Sequence, residues 1–328
     1  MKQRTLGGTG YKVSEIGFGG WGVGGDMWQG TGDREGSDAL RKAIDEGVTF
    51  FDTALAYGTG HSERLMGKVL RSELKDGRAV LATKIPPRNL RWPGDAKTPL
   101  TDVFPAKHIT ASTEQSLKNL GLEALPVQQL HVWNDVWLDH PKWDASYTQI
   151  LKLKQAGKVL HWGISINDHA PATALKALGD PIFETAQVIY NIYDRTPEQA
   201  LFALAKTKPL GIIVRVPFDE GALTGRIRAD TVFPPGDWRA DYFAGDRRAE
   251  AQRRAEALAT LLGDEAQTLP ELALRFCISE PAVSTVIPGM RRVQHVQDNV
   301  AAGGKGGLSV GMLSRLKSHA WDKNWYPD

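Results

Sequence analysis

The chain has 328 residues, of which 41% are hydrophobic and 24% charged, a composition typical of a soluble globular protein with a large core. Its formal net charge of +2 is too small to indicate nucleic acid or a membrane surface as a partner. The single cysteine, Cys277, excludes an internal disulfide and a cysteine metal cluster, and its apolar neighbours favour a buried thiol.

The first residues, MKQRT, have no apolar segment behind them, so we expect no signal peptide. No apolar run reaches the roughly 18 residues that a transmembrane helix needs. We therefore expect a cytoplasmic protein. We also expect one domain over residues 1–328, because a (β/α)8 barrel commonly uses about 250 residues or more as one unit.

The chain opens with a predicted β-hairpin. Two short segments, residues 4–6 and 12–14, flank the glycine-rich stretch 7–10. We expect this hairpin to close the bottom of a barrel.

Eight short apolar runs follow. Their hydrophobicity is continuous, which predicts strands that are covered on both faces, as in a parallel sheet. The runs are residues 16–18, 48–51, 79–82, 127–130, 159–164, 186–189, 212–214 and 283–287.

Amphipathic stretches between these runs predict helices over residues 38–46, 62–70, 113–120, 147–155, 172–178 and 198–206. Thr196 and Pro197 have the pattern of an N-cap followed by a proline at the first helical position. Gly47, Gly121 and Gly157 follow helical stretches, where a left-handed C-terminal glycine is expected.

The alternation of strands and helices predicts an α/β protein with a closed (β/α)8 TIM barrel, an N-terminal β-hairpin and long loops at the C-terminal face. An open, doubly wound sheet is the structural alternative. Its G-x-G-x-x-G fingerprint is missing, because no helical pattern directly follows the glycine-rich residues 17–22. Three long connections, residues 88–107, residues 217–245 and the tail after Ser309, are candidates for functional loops.

Polar residues stand at the C-terminal ends of the predicted strands. In a parallel barrel all of these ends lie on one face, where active sites are found. Tyr57 follows five residues after the first of them. The strand-end residues are Asp52, Lys84, His131, Ser165, Asn167, Gln187 and Arg215.

Tyr57 and three of these strand-end residues suit the reduction of a carbonyl group, which needs a proton donor for the developing alkoxide. Tyr57 is the candidate donor, and the Lys84 cation would lower its pKa from the usual value of about 10. Asp52 would hold Lys84 in its charged form, and His131 would orient the carbonyl. A buried lysine and a buried aspartate at the mouth of a barrel are expected to pair.

Two of the segments resemble the signature of the aldo-keto reductases: residues 47–58, GVTFFDTALAYG, and residues 62–67, SERLMG. The resemblance continues in the family's order over most of the chain. Its further segments are residues 82–84, 130–133, 162–167, 187–191, 217–225 and 287–289, together with Asn299.

The resemblance implies a barrel that binds NADPH or NADP+ without a Rossmann domain. It assigns Tyr57 as proton donor, Lys84 and Asp52 as the tuning pair, and His131 as the orienting group. The residues expected to bind the cofactor are Gly20, Trp21, Ser165, Asn167, Gln187, Arg215, Pro217, Phe218, Gly221, Leu223, Gly225, Gly289, Arg291, Gln294, His295 and Asn299.

The resemblance also divides these cofactor contacts among three parts of the cofactor. It places Ser165, Asn167 and Gln187 at the nicotinamide carboxamide, and the loop of residues 217–225 at the pyrophosphate. The segment 289–299 corresponds to the adenosine 2′-phosphate region, where Arg292 is a further candidate. Arginine suits this role because its planar fork bonds two phosphate oxygens at once.

The sequence departs from the family pattern at the active site. Arg215 stands where the family often has an aromatic residue, and we expect its guanidinium to stack on the nicotinamide or else to pair with Asp219 or Glu220. The family's usual histidine–tryptophan–proline sequence is here His131, Val132, Trp133 and Asn134.

Tryptophans on the predicted mouth loops indicate the kind of substrate. Trp21, Trp92, Trp133 and Trp238 would line a cleft for an apolar or planar carbonyl compound. The expected partner is therefore a small molecule, and the sequence predicts no particular oligomeric state.

The sequence thus predicts an NADPH-dependent oxidoreductase that reduces an aldehyde or ketone to an alcohol. One alternative is a regulatory subunit that senses the nicotinamide redox state with little turnover. Another is a barrel aldolase that forms a Schiff base on Lys84, which Asp52 disfavours. A metal hydrolase is disfavoured, because no histidine pair has ligand spacing with a carboxylate, and we predict no metal site.

Overall fold

A computed structural model describes residues 1–25 and 32–326 of the chain. It begins with two antiparallel strands, β1 (Gln3–Thr5) and β2 (Lys12–Ser14), in which Gln3 lies opposite Ser14. The predicted N-terminal hairpin is therefore confirmed.

Eight parallel strands then follow one another around a barrel in the order of the chain. All eight predicted strands are present, although most are longer than the apolar runs that predicted them. They are β3 (Phe18–Gly19), β4 (Phe50–Asp52), β5 (Val80–Ile85), β6 (Leu125–Trp133), β7 (Val159–Ile166), β8 (Phe183–Ile189), β9 (Gly211–Arg215) and β10 (Val283–Val286).

The barrel closes between its first and last strands. The backbone N–H of Gly17 donates to the carbonyl of Val286 at 2.8 Å, and that of Gly19 donates to Pro288 at 3.0 Å. Parallel bridges join Ile16 to Val286 and Gly19 to Gly289. The closed (β/α)8 barrel is confirmed and the open sheet is wrong, because an open sheet would leave these two strands unpaired.

The N-terminal hairpin fills the lower end of the barrel. Leu6 and Val13 are fully buried and pack against inward-facing barrel residues such as Phe50 and Ile213. Gly7 allows this close approach, since a Cβ in its place would lie 2.2 Å from the backbone nitrogen of Gly211. The hairpin acts as the predicted plug, and it leaves the opposite face of the barrel open for a site.

Helices cover the outside of the barrel. Within the described ranges they are α1 (Asp33–Asp45), α2 (His61–Val69), α3 (Arg71–Lys75), α4 (Leu100–Val103), α5 (Ala106–Leu120), α6 (Trp143–Gln155), α7 (Leu201–Thr207), α8 (Arg239–Tyr242), α9 (Arg247–Ala259), α10 (Leu269–Ser279), α11 (Val293–Gly304) and α12 (Val310–Leu316). Gly47, Gly121 and Gly157 have φ values of 81°, 65° and 70°, so the predicted left-handed glycines are confirmed. No helix in the described part of the chain is long and apolar enough to cross a membrane.

Two helix predictions are wrong. Thr196 does not cap an α-helix, because its backbone N–H and its hydroxyl both donate to Asp194. Thr196–Glu198 forms a short 3-10 turn instead, and α7 begins only at Leu201. The predicted helix over residues 172–178 is replaced by two short 3-10 turns, Pro171–Ala174 and Ala177–Gly179. The carboxylate of Asp135 there accepts two backbone N–H groups that a helix would have used internally.

The plug gives a test of the fold. Leu6→Ala removes a fully buried side chain from the lower interior and should lower the free energy of unfolding by about 2–5 kcal/mol. Lys12→Ala, an exposed change in the same hairpin, should stay within about 0.5 kcal/mol of the native protein. Equilibrium urea unfolding measures both, and equal stabilities of the two variants would contradict the plug.

Candidate active site

A buried ion pair lies at the mouth of the barrel, where β4 and β5 end side by side. The Lys84 Nζ donates to Asp52 Oδ2 at 2.6 Å and to the carbonyl of Thr53 at 2.8 Å. The Lys84 side chain is fully buried and that of Asp52 is 3% exposed. The predicted pairing of the two charges is therefore observed.

The same lysine contacts Tyr57, which lies on the turn after β4. Lys84 Nζ donates to the Tyr57 hydroxyl oxygen at 3.3 Å and lies 4.8 Å from the centre of its ring. The ring of His131, on β6, meets the Tyr57 ring edge-on with the two centres 6.2 Å apart. The structure thus brings the four predicted catalytic residues together.

Burial and charge act in opposite directions on this cluster. Burial raises the pKa of Tyr57, and the nearby Lys84 cation offsets only part of that rise. Burial would lower the pKa of Lys84, but Asp52 and Tyr57 more than compensate and hold it above its usual value. The expected net lowering of the Tyr57 pKa is therefore not found, and the phenol is protonated at neutral pH.

His131 is neutral for an equally clear reason. Burial, and then the positive charges of Lys84 and Arg215, lower its pKa well below the usual value. Its Nδ1 is buried and has no hydrogen-bond partner among the described residues. A neutral imidazole next to a protonated phenol can orient a carbonyl oxygen without competing for the proton.

Gln187 and Asn167 have their amide groups engaged inside the protein. The Gln187 Nε2 donates to Asp52 Oδ1 at 2.7 Å and so supports the ion pair from the other side. Asn167 holds the backbone of Gly94, whose N–H donates to Oδ1 at 2.7 Å while Nδ2 donates to its carbonyl at 3.0 Å. Ser165 differs, because its hydroxyl is buried without a partner in the part of the chain that the structure describes.

Arg215 ends β9 beside this cluster. Its Nη2 donates to Asp168 Oδ1 at 2.6 Å and to the carbonyl of Ile166 at 3.1 Å, while its Nε is buried without a partner within the described ranges. The expected pairing with Asp219 or Glu220 is wrong. Those two carboxylates are bound instead by the C-terminal tail.

The tail after Ser309 is one of the predicted functional loops, but the sequence does not predict the contacts that residues 317–326 make. Lys323 Nζ donates to Asp219 Oδ1 at 3.0 Å, and the Tyr326 hydroxyl donates to Glu220 Oε1. The only hint in the sequence is the concentration of aromatic residues after His319. The tail is therefore fastened directly onto the loop that was predicted to hold the pyrophosphate.

That loop has an unusual backbone. Val216, Asp219 and Glu220 adopt positive φ values of 55°, 49° and 56°, and Gly221 and Gly225 follow at 110° and 70°. Such values are costly for residues with side chains and persist only where the surroundings hold them. Pro217 and Leu223 are buried and Phe218 is half-buried, so these three residues anchor the loop to the barrel.

Gly20 and Trp21 follow β3 on the same face. The Gly20 N–H donates to the carbonyl of Asp52 at 2.8 Å, and a Cβ at Gly20 would lie 2.4 Å from Met66. The Trp21 ring stacks along Tyr57 with the two centres 6.3 Å apart.

Aromatic rings surround the Tyr57–His131 pair. Trp92 lies 5.8 Å from His131 and Trp238 lies 5.2 Å from Trp21, measured between ring centres. The prediction that Trp133 lines the mouth is wrong. Strand β6 continues through residue 133 and turns this side chain into the fully buried core, where its indole N–H donates to Asp135 at 2.9 Å.

A second predicted region, residues 289–299, concentrates positive charge. Arg291 is half-buried, and its pKa is lowered by burial and then by the neighbouring Arg239 and Arg292. His295 has a pKa lowered by burial and then by Arg291.

The other predicted residues of this region differ in their surroundings. Gly289 has open space where a Cβ would stand. Gln294 Nε2 donates to Asp298 on the surface of α11 at 2.8 Å. Asn299 is buried, and its Nδ2 has no partner within the described ranges.

The fold is a (β/α)8 barrel with Asp52, Lys84, Tyr57 and His131 clustered at its mouth. The sequence model of the Aldo/keto reductase family matches residues 15–320, so the chain belongs to the aldo-keto reductase family. Members of this family use nicotinamide cofactors and act on small carbonyl compounds.

Similar proteins include a probable voltage-gated potassium channel subunit beta from Arabidopsis thaliana, 30% identical over 92% of this chain and 91% of that protein. The NADH-specific methylglyoxal reductase of Escherichia coli (strain K12) is 27% identical over 92% of this chain and 93% of that protein. The holo form of the aldo-keto reductase AKR11C1 from Bacillus halodurans superimposes with a TM-score of 0.76 at 26% identity, covering 98% of this chain and 96% of that one.

Glu220, in the 217–225 loop, makes the free energy of unfolding depend on pH. Burial raises its pKa from 4.5 to about 7, so the folded protein binds a proton that the unfolded chain has lost. The resulting stabilisation is present below pH 4.5 and is lost as the pH rises through about 7.

Between about pH 5 and pH 7.5, the native protein should therefore lose about 2 kcal/mol more unfolding free energy than Glu220→Gln, whose amide does not titrate. Urea unfolding of both proteins at each pH measures the difference. Parallel pH profiles would contradict the raised pKa.

Proposed function

We propose that the protein reduces an aldehyde or ketone to an alcohol with NADPH, and that Tyr57 donates the proton. The observation that carries this proposal is the contact of the Tyr57 hydroxyl with Lys84, itself 2.6 Å from Asp52, beside a neutral His131. The nicotinamide, when bound, supplies the hydride to the carbonyl carbon.

Tyr57 is suited to the proton transfer because it is protonated at neutral pH and touches a cation. As negative charge develops on the carbonyl oxygen, the hydroxyl passes its proton to that oxygen and becomes a phenolate. The Lys84 ammonium stabilises this phenolate directly. Asp52 binds Lys84, and Gln187 binds Asp52. The Lys84 charge is therefore held next to the Tyr57 hydroxyl before the reaction begins.

His131 holds the carbonyl oxygen in this scheme. Its low pKa keeps it neutral, so it orients the substrate by hydrogen bonding and leaves the proton transfer to Tyr57.

The residues present fit a nicotinamide dinucleotide. Three polar atoms in the predicted cofactor positions are buried and have no partner within the described ranges: Ser165 Oγ, Arg215 Nε and Asn299 Nδ2. Buried polar groups normally have a hydrogen-bond partner. We propose that bound cofactor supplies these partners, with Ser165 at the carboxamide and Asn299 at the adenosine end.

We propose that the loop of residues 217–225 binds the pyrophosphate. Asp219 and Glu220 would repel it as free carboxylates, but Lys323 neutralises the first and Tyr326 hydrogen-bonds the second. Gly221 and Gly225 have positive φ values of 110° and 70°, a backbone conformation that glycine adopts without steric cost.

We propose NADPH and not NADH as the cofactor because residues 289–299 concentrate positive charge. Burial and then the charges of Arg239 and Arg292 lower the pKa of Arg291, and burial and then Arg291 lower that of His295. Such a concentration of positive charge indicates a site that an anion would stabilise. A 2′-phosphate provides that anion, and NADH lacks it. The Escherichia coli relative is NADH-specific, so similarity to it does not by itself support NADPH.

The substrate should be apolar or planar, because Trp21, Trp92 and Trp238 surround the Tyr57–His131 pair. Such rings bury a flat substituent with little loss of side-chain freedom.

Two other functions are less well supported. A Schiff-base aldolase needs a neutral lysine, whereas Lys84 is held charged by Asp52. A nicotinamide-sensing regulatory subunit is favoured by the similarity to the potassium channel subunit beta. The assembled catalytic tetrad favours turnover instead, and NADPH oxidation across a panel of aldehydes, ketones and quinones distinguishes the two.

The proton donor is tested by Tyr57→Phe. This variant should bind NADPH nearly as well as the native protein and should reduce carbonyl turnover by at least about 100-fold, the usual scale for a general acid. Tyr147→Phe removes the same hydroxyl from α6, where it contacts Asp180, and should leave turnover unchanged. Unchanged turnover in a folded Tyr57→Phe protein would remove Tyr57 from the mechanism.

The cofactor preference is tested by Arg291→Ala. Loss of a charge-assisted contact to the 2′-phosphate should weaken NADPH binding by roughly 1.5–3 kcal/mol and leave NADH nearly unaffected. Arg78→Ala, an exposed change just before β5 at the opposite end of the barrel, is the control. Fluorescence titration gives the dissociation constants. Equal weakening of both nucleotides, or a native preference for NADH, would contradict the assignment.

A further inference from the structure

The connection between β5 and α4 places Trp92 against the active site. Its indole ring lies 5.8 Å from the His131 ring, centre to centre, at an interplanar angle of 60°. Resemblance to the family gave this loop no role.

The loop is held firmly two residues further on. The Gly94 carbonyl accepts hydrogen bonds from Asn134 Nδ2 and Asn167 Nδ2 at 3.0 Å each, and its N–H donates to Asn167. All three residues are buried. Nearby, the Trp137 indole donates to the carbonyl of Thr98 at 2.8 Å. These contacts fix the position of Trp92 before any substrate arrives.

The indole N–H of Trp92 is buried and has no acceptor among the described residues. The indole N–H groups of Trp133 and Trp137 both have partners, whereas that of the fully buried Trp162 on β7 also lacks one within the described ranges. Leaving a buried donor without a partner is unfavourable, so a donor of this kind beside an active site is a candidate contact for a ligand atom.

The reacting carbonyl oxygen does not need this donor. A carbonyl oxygen has two lone pairs, and in the proposed function Tyr57 and His131 take both. The Trp92 N–H is therefore available to a second oxygen of the substrate, near the first because the Trp92 and His131 rings are in contact.

We propose that Trp92 is a specificity-determining residue whose indole N–H binds an oxygen on the carbon next to the reacting carbonyl. The substrate class is then an α-oxygenated carbonyl compound, a vicinal dicarbonyl or α-hydroxy carbonyl, whose flat apolar substituent packs against the Trp21 and Trp238 rings. This inference rests on the proposed function, which it makes more specific.

Two probe substrates isolate the second oxygen. In 1-phenylpropane-1,2-dione the acetyl carbonyl has a neighbouring C=O, and in phenylacetone that group is CH2. Trp92→Phe keeps an aromatic ring but removes the N–H together with part of the ring area, and the second probe measures the effect of the lost area. Its kcat/KM for the dione should fall about tenfold or more, and that for phenylacetone by less than about threefold, as expected for one lost hydrogen bond. Arg91→Ala, an exposed change in the same loop, should alter neither value.

An equal fall for both probes, or no fall for the dione, would overturn the inference. Failure of the proposed function is recognised separately, as the absence of NADPH oxidation by the native protein with every carbonyl compound. In that case calorimetric titration of the NADP+-loaded protein decides the inference alone. A dione affinity about tenfold weaker in Trp92→Phe, with phenylacetone unchanged, supports it, and equal affinities contradict it.

Discussion

The ion pair between Lys84 and Asp52 is the interaction on which the rest of the site depends. Both charges are withdrawn from water at the mouth of the barrel, and such burial is tolerated only with close pairing and additional hydrogen bonds. Thr53 and Gln187 supply those bonds. The pair in turn fixes a positive charge against the Tyr57 hydroxyl. Burial raises the pKa of Tyr57 and lowers that of His131, and the Lys84 charge opposes the first shift and adds to the second.

The barrel makes this contact possible because neighbouring parallel strands end at the same level. Asp52 and Lys84 lie on adjacent strands, and His131 lies on the next one. The N-terminal hairpin fills the opposite end with apolar side chains, so polar groups are concentrated at one face only. The C-terminal tail completes that face by fastening the 217–225 loop.

Local pattern was enough to predict the strands and the polar residues at their ends. Continuous apolar runs mark strands that are buried on both faces, and polar residues directly after a run, such as Asp52 and His131, fall at the open end of the barrel. Trp133 was misplaced because an apolar run does not show where a strand ends, and β6 continues through that residue. The hydrogen bonds of Asn167 with Gly94 and of Lys323 with Asp219 join residues 73 and 104 positions apart. The periodicity of apolar residues along the sequence does not predict contacts at such separations.

The most direct test of this account is a double-mutant cycle on Lys84 and Tyr57. The rate of 4-nitrobenzaldehyde reduction would be measured for the native protein, Lys84→Met, Tyr57→Phe and the double variant, each shown to be folded by circular dichroism. If the lysine acts through the tyrosine, the double variant should be about as slow as the slower single variant. Losses that multiply independently would show that Lys84 and Tyr57 do not work as one unit, and would contradict the account.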